Sequence, residues 1–570
     1  MPSQHIFAGR LHATWQQELG RLTQLHAIER IFARDATLWK PDNAHQKVIR
    51  NRLGWLVSLE PMQQEAAQLA QFAQDVQQSG IRDVVLLGMG GSSLAPEVFS
   101  LVFPAPPRRR LFVLDSTDPA SLRSLERTVN LRETLFVVAS KSGKTIETLS
   151  QFKYFHSAMA YAGVNPPGKN FLAITDAGSF LEQQAKENHF RRTFINASDI
   201  GGRYSALSFF GLLPAALWGI ELPPLLQRAA AMKAACTSEG AETNPGLALG
   251  ALLGAATAVG ANKMYLFAAP PLQSLTCWIE QLVAESTGKE GKGVVPVAGE
   301  VPGPHGLFEQ NAVAVFMHLA DEPSEELRTL SRTLIERDVP VVEIRLDGRL
   351  DLGAEFFRWE MATAVAGASL AVDPFDEPNV TESKDNTGRI LDQFRKTRVL
   401  PTGIPRIAEA DIGLFAEGPA RNRIFTRKVA AALRTFFADR QPDDYLAILA
   451  YVDRNPDFVQ RLEALRVLLR DRLRMPVLLG FGPRFLHSIG QLYKGGPAQG
   501  MFLQITAADL EDAPIPGEDF TFSQLKMAQA LGDLESLTKR DKPALRLHLK
   551  RGAAEGLAVV RSLVEEALQP

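Results

Sequence analysis

The chain reads as an α/β protein with two doubly wound parallel-sheet domains and a C-terminal α/β subdomain, on three observations. Short apolar runs, DVVLLG (83–88), LFVLD (111–115), TLFVVA (134–139) and FLAIT (171–175), are separated by helical segments. After a helical region near 205–235 the alternation restarts with KMYLFAA (263–269), AVAVFMHL (312–319) and PVVEIRL (340–346). A third series, YLAILAYV (445–452), PVLLGFG (476–482), MFLQIT (501–506) and ALRLHL (544–549), closes the chain.

In chain order, residues 1–60 form an amphipathic, mainly helical segment. Residues 61–235 hold the first sheet and 236–400 the second. The stretch RVLPTGIPRIAEAD (398–411) carries Pro and charge and reads as a linker into the third block, 401–570. PGLALGALLGAATAVGAN (245–262) is uncharged, but shorter than the roughly 20 strongly apolar residues that span a bilayer. Its Gly and Ala content suits a tightly packed interior helix.

Composition narrows the function classes. With 570 residues, 45% hydrophobic and 22% charged, the chain has ordinary soluble composition. A formal charge of −2 argues against a nucleic-acid partner held by a basic surface. Two cysteines, Cys236 and Cys277, provide neither a disulfide framework nor a thiolate cage. The N-terminus lacks the apolar core of a signal peptide, so the expected location is the cytoplasm, away from membranes. Ten scattered histidines form no metal-ligand spacing. No metal and no cofactor is expected.

Two loops follow strands of the first sheet. SKSGKT (140–145) looks like the tail of a nucleotide-binding P-loop, but the position that needs the first glycine is Val138. A β-branched residue resists that turn, so the P-loop reading fails. What remains is a set of hydroxyls and amides at the start of a helix, either an anion site or an ordinary Ser/Thr cap. The loop LLGMGGSSLAPEVF (86–99) places Ser92 and Ser93 at another helix start, and its match to a dinucleotide fingerprint breaks at Ser93. Together the two loops favour a small phosphate group at the end of one sheet.

In SLTCWIEQLVAESTGKEGKG (274–293), Trp278, Leu282 and Glu285 share a helix face, and Gly288 ends the helix. Partial burial would raise the pKa of Glu285 and suit it to proton transfer. From spacing alone, an i,i+4 surface bridge to Lys289 is the preferred role.

Five ordered motifs, spread over about residues 40–400, resemble those of the phosphoglucose isomerase family, whose fold is two sugar-isomerase (SIS) domains. GMGGSSLAP resembles IGGSxLGP, SKSGKTIET resembles SKTxxTxET, GGRYSALS (201–208) resembles GGRYSxxS, and QLVAESTGK resembles QLxxESxGK. FDEPNVTESK (375–384) resembles FDQxGVExGK, with Glu377, Asn379 and Thr381 replacing Gln, Gly and Glu. The likeness is greatest to the isomerase half of bacterial bifunctional transaldolase/phosphoglucose isomerases.

The resemblance implies a glucose 6-phosphate/fructose 6-phosphate isomerase working by a metal-free cis-enediol route. Gly91, Ser92, Ser140, Lys141, Ser142 and Thr145 would hold the substrate phosphate. Glu285 would move the proton between C2 and C1, and Arg203 would stabilise the enediolate. A histidine and Lys384 would open the ring. The family histidine sits in QHxxxQLxxxG, between the glutamate and lysine motifs. That interval here holds only His305 and His318, and His318 lies in an apolar strand and reads as structural. FLHSIGQLYKGGP (485–497) supplies His487 with Gln491, following PVLLGFG at the start of a helix. His487 is the expected residue and His305 its competitor. The alternatives to this function are isomerisation of another sugar phosphate, such as mannose 6-phosphate, and a non-catalytic SIS-domain sensor. The motifs begin too near Met1 to leave room for a transaldolase barrel. Either this is a stand-alone isomerase or a transaldolase partner lies on a separate chain. The other partners to expect are the sugar phosphate and a second copy in a homodimer.

Overall fold

The computed structural model describes residues 2–569 except Arg108, Glu239, Glu309, Gln310 and Ala410, with His305 and Val380 described by backbone alone. The chain forms two compact units, one of residues 1–115 and 129–377 and the other of residues 116–128 and 378–570.

The first unit opens with β1 (Ser3–Phe7) and then the helices His12–Gln24, Ala27–Phe32 and Asn43–Arg50. Its first sheet comprises β2 (Asp83–Gly88), β3 (Arg110–Leu114), β4 (Thr134–Ala139), β5 (Phe171–Asp176) and β6 (Arg192–Asn196), all parallel, in the order β3-β2-β4-β5-β6. Strands β2 and β4 are buried along their whole length, as their unbroken apolar runs require of a sheet covered on both faces.

The second sheet contains β7 (Lys263–Ala268), β8 (Val295–Val297), β9 (Ala312–Leu319) and β10 (Val341–Leu346). Its order is β1-β10-β9-β7-β8, and β1 is the one antiparallel member. Residues 3–7 are thus an edge strand, within a segment that the sequence presents as mainly helical. SQHIF alternates exposed and half-buried side chains, a pattern too short and too polar to stand out. RTFIN (β6), also an edge strand, is equally short and polar.

In the second unit the strands are β11 (Ile407–Glu409), β12 (Ile412–Glu417), β13 (Leu446–Tyr451), β14 (Val477–Phe481), β15 (Met501–Ala507) and β16 (Ala544–Leu549). They run β11-β12-β16-β15-β13-β14, with β13 to β16 parallel and β11 and β12 joined antiparallel. The expected linker 398–411 therefore contains a short strand. The unit also begins earlier, with the helix Pro378–Thr397 that carries Lys384.

One strand order recurs in all three sheets. The first parallel strand of each block is central, the second lies on one side, and the third and fourth lie on the other. The order reverses between β2 and β4, between β7 and β9, and between β13 and β15. At such a reversal the connections leave the sheet in opposite directions and open a crevice at the carboxyl ends of the strands, where α/β folds bind ligands.

The helix Pro245–Ala258 is interior, as its small residues suggested. It packs on Leu352–Leu370, the broadest helix–helix contact of the unit. A Cβ on Gly250 would stand 2.4 Å from the Ala362 carbonyl oxygen and 2.6 Å from Val365 Cβ. The bare backbone is what lets the two helices approach. Among the described residues, no helix is long and apolar enough to cross a membrane.

This packing makes opposite predictions for two helical glycines. Gly250→Ala should lower stability by about 1–3 kcal/mol, because overpacking outweighs the better helix propensity of alanine. Gly388→Ala, where an added Cβ meets nothing within 4 Å, should raise stability by roughly 0.5–1 kcal/mol. Differential scanning calorimetry of the two variants checks both signs.

Candidate active site

The two Ser/Gly loops leave β2 and β4, the strands that flank the reversal in the first sheet. Gly88 and Ala139 are register partners, so the loops start side by side. In the second loop, Ser140 Oγ lies 3.0 Å from Thr145 Oγ1 and accepts the Gly143 N–H at 3.1 Å. Thr145 is the N-cap of the helix Ile146–Tyr161, yet its hydroxyl caps no helical N–H. It faces Ser140 instead. The first-turn N–H groups of a helix have no intrahelical acceptor, so these hydroxyls stand where an anion is favoured. Ser142 is exposed and its Oγ accepts the Lys144 N–H at 3.3 Å. Lys141 turns aside, donating to Asp176 Oδ2 at 2.6 Å and to the Ser198 carbonyl at 2.7 Å. Burial raises the Asp176 pKa, against the opposing pull of Lys141.

The first loop connects these hydroxyls to Arg203. Gly91 and Ser92 are half-buried. A Cβ on Gly91 would lie 2.1 Å from the Gly202 carbonyl oxygen, so only glycine lets the loop press against the turn Gly202–Tyr204. That turn delivers Arg203 into the interior, 3% exposed.

The Arg203 guanidinium is held on all sides. Nε donates to Ser286 Oγ at 2.8 Å, and Nη2 donates to the carbonyls of Pro374 (2.7 Å) and Asp376 (2.8 Å). Nη1 lies 3.3 Å from Glu377 Oε2 and 3.6 Å from Glu285 Oε1. Glu285 and Ser286 both come from the last turn of the helix Gln273–Thr287, which follows β7. One turn earlier, Gln281 Nε2 donates to the other Glu285 oxygen at 3.0 Å.

Burial raises the Glu285 pKa, Arg203 opposes the rise, and Glu377 adds to it. Burial works against the Arg203 charge too, but Glu285 and Glu377 outweigh it and the guanidinium pKa is raised. The two directions are compatible because the cation has two carboxylates, whereas Glu285 shares its cation with a competitor. The result is a fixed positive charge beside a carboxyl poised to take up a proton.

The Glu285–Lys289 bridge that spacing favoured does not form. Lys289 Nζ pairs with Asp376 Oδ1 at 2.5 Å and donates to the carbonyls of Asp373 and Asp376. It is buried, and that burial lowers its pKa. Lys289 and Arg203 together clamp the segment Asp373–Glu377 against the end of the Glu285 helix. From sequence alone, Gln281 and Ser286 have no role of their own, although both stand in the QLVAESTGK stretch. Lys289 is offered only as a surface partner of Glu285, and Glu377 only as a departure from a motif.

The remaining expected residues belong to the second unit. Lys384 is exposed on the helix Pro378–Thr397. His487 is half-buried and closes a 3-10 turn, Arg484–His487, with the helix starting only at Gly490. Gln491 is fully buried. Its Oε1 accepts the Asn379 N–H at 2.9 Å and its Nε2 donates to Asn379 Oδ1 at 2.8 Å, tying the His487 region to the Lys384 helix. The His305 side chain lies outside the described residues. His318 is buried in β9 and neither ring nitrogen has a hydrogen-bond partner among the described residues, in keeping with a packing role. Among those residues, no group of three His, Cys, Asp or Glu side chains is arranged to hold a metal ion.

The family model described as phosphoglucose isomerase matches residues 60–298. A glucose-6-phosphate isomerase of Symbiobacterium thermophilum is 31% identical over 319 residues, covering 52% of this chain and 68% of the relative. One from Rubrobacter xylanophilus is 29% identical over 360 residues, covering 55% and 83%. Two crystal structures share the fold. A hypothetical protein from Thermus thermophilus has a TM-score of 0.59 and 22% identity, covering 70% of this chain and 100% of its own. A glucose-6-phosphate isomerase from Chlamydia trachomatis has a TM-score of 0.55 and 20% identity, covering 68% and 86%. The GGRYS turn, the QLVAES helix and the two Ser/Gly loops that build this site thus lie in a chain that belongs to the phosphoglucose isomerase family.

Proposed function

We propose that this chain interconverts glucose 6-phosphate and fructose 6-phosphate by proton transfer through a cis-enediol. The buried Arg203–Glu285 pair supports this most strongly. Aldose–ketose isomerisation moves one proton between adjacent carbons and builds negative charge on oxygen as it does so. A carboxylate whose pKa is raised by burial is a competent base near neutral pH. A fixed guanidinium beside it meets the charge that develops, a contribution commonly worth about 3–4 kcal/mol. Proton acceptance and charge stabilisation are then both supplied by side chains, and a metal ion has no step to perform.

The substrate phosphate is assigned to Gly91, Ser92, Ser140, Ser142 and Thr145. Lys141 would join them by leaving Asp176 when a dianion arrives. Ring opening is assigned to His487 and Lys384. An imidazole has both a donor and an acceptor nitrogen and can pass a proton in either direction. The proposed setting is the cytoplasm, with a homodimer as the assembly and a transaldolase on another chain as a functional partner.

Two substitutions separate chemistry from binding. Glu285→Gln keeps the shape of the side chain and removes its basicity, so kcat should fall about 10²–10⁴-fold while sugar-phosphate binding persists. Near-normal turnover would remove Glu285 from the mechanism. Thr145→Ala deletes a hydroxyl at the helix start and should raise KM for fructose 6-phosphate about 10-fold or more with little change in kcat, as expected for a lost hydrogen bond to a charged group. An unchanged KM would place the phosphate elsewhere. Both are read in a coupled assay of glucose 6-phosphate formation.

A further inference from the structure

The motif FDQxGVExGK has glutamine where this chain has Glu377, and that residue reaches Arg203. We propose that Glu377 sets the pH range in which Glu285 works, by holding a second carboxylate on the same guanidinium nitrogen. This rests on Glu285 being the base, as proposed above.

Two distances carry the inference. Arg203 Nη1 stands 3.3 Å from Glu377 and 3.6 Å from Glu285, so one cationic nitrogen serves two carboxylates. The rest of the guanidinium is already engaged by Ser286 and by the carbonyls of Pro374 and Asp376, so it cannot turn a separate edge to each. Glutamine at this position would keep a side chain of the same length and leave the full charge of Arg203 to Glu285.

Two other groups around the base, Gln281 and Lys289, oppose Glu377, each more weakly than Glu377 acts. Gln281 is neutral and acts through its hydrogen bond, and the charge of Lys289 is shared with Asp376 at 2.5 Å. From the segment before Pro378, Asp373 and Asp376 face Lys289 and add negative charge behind it. Arg203 itself comes from the turn Gly202–Tyr204. Glu377 acts in the same direction as burial, raising the proton affinity of Glu285, whereas Arg203, Gln281 and Lys289 lower it.

The consequence for catalysis has a definite sign. A base works only when deprotonated, so a raised pKa confines activity to higher pH and activity falls as pH drops through it. Removing the Glu377 charge should carry the acid limb of kcat/KM to lower pH. The Glu377 side chain is 41% exposed, so solvent screens part of the effect and an isosteric replacement should fold.

The test compares pH profiles of kcat/KM for the wild type, Glu377→Gln and Glu377→Asp with fructose 6-phosphate, each normalised to its own plateau. The substrate phosphate titrates identically in all three, so differences between the profiles report the protein. One pH unit below the wild-type midpoint, Glu377→Gln should retain about threefold more of its plateau activity, while Glu377→Asp should stay near the wild type. Coincident limbs for Glu377→Gln and wild type, or an equal displacement in Glu377→Asp, would overturn the inference. Glu285→Gln is assayed alongside. If it is inactive while the Glu377→Gln limb stays put, only the role of Glu377 falls. If it turns over normally, the base assignment falls with it.

Discussion

Burial of the Arg203 guanidinium is the constraint around which the first unit is arranged. A cation withdrawn from water is costly unless its donors are satisfied and its charge is met. Here that requires Ser286 and Glu285 from the end of one helix, two carbonyls from the segment 374–376, and Glu377 after it. Two of these partners, Glu285 and the Asp376 carbonyl, are held by further contacts. Gln281 holds the second oxygen of Glu285, and Lys289 draws the Asp373 and Asp376 carbonyls into place. Removing any one of them would leave a buried charge or a buried carbonyl unmatched.

This cluster is where it is because of sheet topology. The loops after β2 and β4 flank the strand-order reversal of the first sheet, and the close approach of Gly91 to Gly202 ties them to the Arg203 turn. Glu285 arrives on the helix that follows β7, the strand at the corresponding reversal of the second sheet. The third sheet repeats the same strand order without Ser- and Gly-rich loops. β13 is followed by VDRNP and β15 by ADLED. The common topology thus carries different loop chemistry in different blocks.

Much of the fold was legible in the sequence, because strands buried on both faces leave unbroken apolar runs. The runs at 83–88, 134–139 and 312–319 coincide with β2, β4 and β9. Edge strands hide. SQHIF and RTFIN pack on one side only and present a weak alternation that a helix or loop could share. The linker at 398–411 concealed a three-residue strand for the same reason.

The site divides in a similar way. Motifs contiguous in sequence, such as GGRYS and SKSGKT, could be read directly. Partnerships set by tertiary contact could not. Helical spacing offered Lys289 to Glu285, but Asp376, 87 residues further along, is nearer to the ammonium. Glu377 stood in a recognised motif as a departure from it, and only its distance to Arg203 gives the substitution a meaning.

The central claim is that a buried carboxylate carries a proton between two carbons with no help from a metal ion. Isomerisation of fructose 6-phosphate in D₂O, with enzyme treated exhaustively with EDTA, tests it directly. Undiminished turnover and deuterium at C2 of the glucose 6-phosphate isolated at low conversion are the predicted results, because a proton resting on Glu285 exchanges with solvent. A product free of C2 deuterium, from an enzyme that loses activity on chelation and regains it with added metal, would mean a hydride shift and would contradict the account.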